Sequence, residues 1–124
     1  MLLLIFVNIN VSGNDIEERL IDFVVRVINL CAHLPQTQAG QHIGGQLSSP
    51  AANYAEASGA ESNKDFVHKL KISLKELNET RVWLKIILKS KILPESRLQE
   101  IIAENDELGK IINASIRTTI ARNN

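Results

Sequence analysis

Lys64, Lys71, Lys75, Arg81, Lys85 and Lys89 form a spaced series of cations in the third quarter of the chain. At about 100° per residue they fall within about one third of a helix's circumference. Such a row on one rigid rod can follow a phosphate backbone, with binding that weakens steeply as salt rises. The same row also fits a solvated face that complements acidic neighbours.

Other residue types capable of chemistry are scattered. His33, His42 and His68 lie far apart, and none falls in a His-Glu-x-x-His or Cys-x-x-Cys setting that would hold zinc. Asp65-x-x-His68 has the spacing of one half of a di-metal site in a helical bundle, but the second half and the inward glutamates are missing. Cys31 falls on an apolar helical stripe, where a buried inert thiol is expected. The phosphate-cradling, dinucleotide-binding and nucleophile-elbow glycine motifs do not occur. The sequence therefore names no catalytic residue, cofactor site or metal site, and points away from an enzyme.

The elements that must position these residues follow from composition and periodicity. The 124 residues suit one domain, and 44% hydrophobic with 23% charged content suits a folded chain. Fourteen basic residues balance fourteen acidic ones, so a nucleic-acid partner would have to be held by a local patch. The balance is uneven along the chain: residues 1–63 carry −4, residues 64–91 carry +5 and residues 92–124 carry −1. Aromatic content of 4% leaves no row of base-stacking side chains, and a single cysteine fits a reducing, cytoplasmic setting.

Apolar residues recurring at three- and four-residue steps predict helices near 15–34, 38–58, 63–91 and 94–121. Pro35 closes the first. Gly44, Gly45 and Pro50 make the second irregular, with Ser49 and Pro50 able to restart it. Ser62-x-x-Asp65 reads as a capping box for the third, whose core stripe is Phe66, Leu70, Leu74, Leu77, Leu84 and Leu88. Pro94 is placed to start the fourth, whose stripe runs from Leu98 to Ile120. The fold class is all-α: an antiparallel up-and-down four-helix bundle over residues 14–124, with the second helix irregular at Pro50. Ile72, Trp83 and Ile86 lie on a flank away from the leucine stripe, a surplus of apolar surface that suggests a subunit interface.

Residues 1–13 read as an apolar tail. Leu2 to Val7 is too short to span a bilayer and lacks the basic residues that precede a secretory signal, so no membrane association is expected.

Ala52-Asn53-Tyr54-Ala55-Glu56-Ala57, followed by Asp65-Phe66, Lys69-Leu70, Ser73-Leu74-Lys75-Glu76, Glu79-Thr80 and Trp83-Leu84, carries a resemblance. With Phe23 to Val27, Glu107-Leu108-x-Lys110-Ile111 and Ser115-Ile116-x-Thr118-Thr119, the chain from about Asp15 to Arg122 resembles a bacterial family of four-helix bundle proteins. That family is related to the proteins encoded in intervening sequences of large-subunit ribosomal RNA genes. Two departures stand out. Gly44 to Ser49 replaces a bulkier segment with an arginine, and residues 1–13 have no counterpart. The resemblance implies helical subunits that assemble into rings, commonly pentamers, with no assigned activity. A related branch, the accessory proteins of diversity-generating retroelements, binds nucleic acid and is strongly basic, whereas this chain is neutral. The resemblance also singles out Asn53 and Glu56, either as a ligand or partner contact or as a polar network that satisfies buried groups near the Pro50 irregularity or between subunits.

Two functions follow as expectations. One is a non-enzymatic oligomeric scaffold or interaction protein; the other is an RNA- or DNA-binding accessory subunit that uses the lysine row.

Overall fold

The computed structural model describes residues 13–46, 53, 57 and 59–123. Pro50, Glu56 and the apolar run Leu2 to Val7 lie outside the described residues. The helices are α1 (Gly13–Cys31), α2 (Gln38–Gln46), α3 (Asn63–Lys89) and α4 (Gln99–Asn123), with a 3₁₀ turn at Glu95–Arg97. Asn53 and Ala57 are also helical, and no strand occurs among the described residues.

The buried positions follow a seven-residue rule. On α1 they are Ile16, Leu20, Phe23, Val27 and Leu30, and on α3 Leu70, Ser73, Leu77, Thr80, Leu84 and Ile87. The steps alternate between three and four residues, the seam of helices packing side by side at a shallow angle. Leu98, just ahead of α4, and Ile101, Asn105, Leu108 and Ile112 on it continue the pattern. Full burial of a leucine contributes about 1.5–3 kcal/mol, so the apolar majority of the seam holds the bundle together despite its polar members.

Ion pairs report the helix directions. Arg19 reaches Glu104 and Arg26 reaches Glu100, so numbers rise along α1 as they fall along α4. On α3, Arg81 meets Asp106, and a side chain at Gly109 would lie against Leu74, so α3 is also antiparallel to α4. Asn53 is tied to α3 through a hydrogen bond from its Nδ2 to Glu76 Oε1.

Several ends differ from the sequence expectation. Helix α1 stops at Cys31 instead of Leu34: His33 N–H donates to Leu30 and Leu34 N–H to Cys31, the tighter pattern of a closing turn. Pro35 disfavours helical backbone in the residue before it. Pro94 does not open α4. It lies extended ahead of the 3₁₀ turn, and the α-helix begins at Gln99. Ile120 is exposed because each four-residue step from Ile112 and Ile116 advances about 40° around the helix and leaves the seam. Phe66, Leu74 and Leu88 are half-buried at its edges, while Ile87 is fully buried.

Candidate functional site

Helix α3 is about 40 Å long at 1.5 Å per residue, which makes it the longest rod available to display a row of charges. Its start is fixed by Ser62, whose hydroxyl accepts from the Asp65 N–H, while the Asp65 carboxylate pairs with Lys69 at 3.5 Å. Its end is fixed by Lys91, which adopts a left-handed backbone with φ of 56°.

With residues 70, 73, 77, 80, 84 and 87 turned inward, the opposite side of α3 faces water. Lys64, Lys71, Lys75 and Lys89 are exposed there, and Lys85 is half-buried. None of these five is in an ion pair among the described residues. Arg81 is drawn away from the row to Asp106 of α4, with Nε and Oδ1 3.0 Å apart. Between the lysines runs a shallow, mainly apolar groove lined by Lys71, Leu74, Lys75, Asn78, Glu79 and Val82.

The flank named by Ile72, Trp83 and Ile86 is divided by the tertiary packing. Trp83 is half-buried against the core and meets the edge of His42 on α2, with ring centroids 5.4 Å apart and planes at 75°. Ile72 is half-buried, and Ile86 stays 39% exposed. Asn53 spends its amide on Glu76 within the chain.

A second apolar surface was not singled out by the sequence reading. Ile21, Val25 and Ile28 on α1 are 41%, 48% and 55% exposed, and Val82 on α3 is 54% exposed. The signal lay in the heptad: once residues 16, 20, 23, 27 and 30 take the seam, 21, 25 and 28 fall on the back of the helix, where polar residues are the rule.

The remaining reactive groups do not converge. His33, His42 and His68 are all exposed, and His33 Nδ1 bonds to the Asn29 carbonyl oxygen. No group of three or more His, Cys, Asp or Glu that could hold a metal occurs among the described residues. Burial pushes the Cys31 thiol above its usual pKa, which lowers its thiolate fraction near neutral pH. Among the described residues no helix is long and apolar enough to cross a membrane.

Comparison with known proteins agrees with this architecture. Residues 13–114 match the family described as 23S rRNA-intervening sequence protein. The fold is similar to the crystal structure of a protein with unknown function from the S23 ribosomal protein family of Bacteroides thetaiotaomicron. That similarity has a TM-score of 0.79 at 29% identity, and covers 86% of this chain and 99% of that one. No curated protein matches the chain.

Proposed function

Because this chain belongs to the 23S rRNA-intervening sequence protein family, a group defined by no known reaction, we propose that it acts through its surfaces, as a non-enzymatic helical subunit that assembles with copies of itself. One observation carries this reading. The bundle fills its internal seam from α1, α3 and α4, yet large apolar side chains remain outside on α1 and on α3. A helix that hides one stripe has no internal use for a second, so the second is available for another chain. The number five is suggested only by the family resemblance, and the cytoplasmic setting is part of the same reading.

Light scattering with size-exclusion chromatography on the full chain, in the tens of micromolar, tests it. A mass that is a multiple of 13.8 kDa supports assembly, and a monomer at every concentration sinks it.

A second reading is favoured by the five exposed or half-exposed lysines of α3 that lack ion-pair partners among the described residues. In it the row binds the phosphates of RNA or DNA. Titration at several salt concentrations should then give saturable binding whose logarithm falls linearly with the logarithm of salt. Absence of such binding at low salt removes this reading and leaves the first intact.

A further inference from the structure

We infer that the basic surface extends from α3 onto α4 and takes a double-stranded nucleic acid across one of its grooves, with Lys110 and Arg117 as further phosphate contacts; this rests on the second reading above. Helix register puts both sets of cations on one side of the molecule. The two helices touch along the edge formed by Leu74 and Arg81 on α3 and by Gly109 and Asp106 on α4. Lys75 and Lys89 follow the buried Leu70 and Leu84 by five residues, about 140° around the helix and so away from the seam. Lys110 and Arg117 follow the buried Asn105 and Ile112 by the same step, and both are exposed. Because the helices are antiparallel and Gly109 is level with Leu74, Lys110 stands beside the Lys71 to Lys75 stretch and Arg117 beside Lys64 to Lys71.

The face is basic without interruption. At alternating four- and three-residue steps, the outward stripe from Lys64 to Lys89 holds five lysines and His68 but no carboxylate. None of those lysines, nor Lys110 or Arg117, is in an ion pair among the described residues. Asp106, which lies between the two sets, is held by Arg81, and Glu79 lies on the flank of α3 away from α4.

Three features select a double helix over a single strand. Axes of packed helices lie about 8–10 Å apart, between the widths of about 6 and 12 Å of the two grooves of a duplex, so the two rows can meet phosphates of both strands. From Lys64 to Lys89 the rod is about 38 Å long and straight, which suits a stiff partner carrying one charge per about 1.7 Å of axis. Single strands are held by stacking on aromatic rings, and this face has none: Phe23 is buried, while Phe66 and Trp83 are half-buried against the core.

Fluorescence anisotropy with the full chain tests the site, using labelled duplex RNA, duplex DNA and single-stranded RNA of mixed sequence, each about 20 nucleotides per strand and longer than the rod. Either duplex should bind at least about tenfold more tightly than the single strand at low salt, and the better of the two identifies the source. The logarithm of its affinity should fall against the logarithm of salt with a slope between about −4 and −6, as expected when five to seven cations each neutralise a phosphate. K110Q/R117Q should make that slope shallower by about 2 and weaken duplex binding at least about tenfold, as should K71Q/K75Q. R26Q/K69Q removes the same charge from residues already held by Glu100 and Asp65, and should bind as wild type does. None of the six positions is buried, so helix content and Tm should stay unchanged.

Other outcomes overturn the proposal in separable ways. If none of the three probes shows saturable, salt-sensitive binding at low salt, the nucleic-acid reading itself fails. Single-stranded RNA held as tightly as the duplexes leaves that reading standing and removes the groove-straddling site. If K71Q/K75Q weakens duplex binding and K110Q/R117Q does not, α4 takes no part. An equal loss in R26Q/K69Q would show that overall charge is read, and not this face.

Discussion

Arg19 grips Glu104 with a fork: Nε and Nη2 donate to the two carboxylate oxygens at 3.1 and 2.8 Å, across 85 residues of sequence. The hydrogen bond to Glu104 raises the guanidinium pKa, burial opposes it, and the charges of Glu104 and Glu107 add to the rise. A raised folded-state pKa means the arginine's contribution is complete below its unfolded value and is lost only as strongly alkaline pH passes the folded one. A double-mutant cycle with Arg19→Ala and Glu104→Ala should give a coupling of about 1 kcal/mol by urea denaturation, since the arginine is 36% exposed and screened. A coupling near zero would mean that the fork contributes nothing to docking α1 on α4.

Asn105 sits in the seam 2% exposed, and its Nδ2 has no hydrogen-bond partner among the described residues. A buried donor left unmet costs about 1–3 kcal/mol, and an apolar side chain of similar size removes that cost. Asn105→Leu should therefore raise stability by about 1 kcal/mol, while Asn105→Ala exchanges the donor for a cavity and should gain less. Loss of stability in the leucine variant would show that the amide is satisfied in solution.

Lys91 carries a left-handed backbone after the α3 cap, a conformation that costs a side-chain-bearing residue about 1 kcal/mol. Lys91→Gly should recover about that amount in thermal or urea unfolding. Ser90→Gly is the control: its φ of −76° is ordinary helical backbone, so no gain is expected.

Gly40 and Gly45 share helix α2 but should respond oppositely to alanine. A Cβ at Gly40 would lie 2.2 Å from the Pro35 carbonyl oxygen, whereas one at Gly45 meets nothing within 4 Å. The close approach belongs to the helix start, where Thr37 Oγ1 accepts from the Gly40 N–H. Gly40→Ala should cost at least about 1–3 kcal/mol by forcing backbone to move, and Gly45→Ala should gain up to about 1 kcal/mol of helix propensity. Equal effects in unfolding measurements would contradict this placement of α2 against the loop.

Much of the fold was legible because it rests on local rules. The heptad-spaced leucines, the Ser62 cap and the Pro35 break each act within one or two turns of chain, so helix order and the all-α class needed no tertiary knowledge. The placement of the basic row was legible for the same reason: Lys64, Lys71, Lys75, Arg81 and Lys89 are exposed on α3 and Lys85 is half-buried. What sequence periodicity could not decide was which neighbour claims each flank. Trp83 looked like surplus until His42 of α2 came against it, Arg81 belonged to the row until Asp106 of α4 took it, and Asn53 is tied to Glu76. Ser73 and Thr80 are polar, so a search for apolar stripes passes over them, although they occupy seam positions, whereas Asn105 keeps the spacing of the fourth helix's stripe and is buried as that spacing requires. Conversely, Ile21, Val25 and Ile28 look like ordinary helix hydrophobics until the seam is known to be full. A stripe reports that a face wants cover; only the packing of all the helices decides which faces receive it from within and which are left for another molecule.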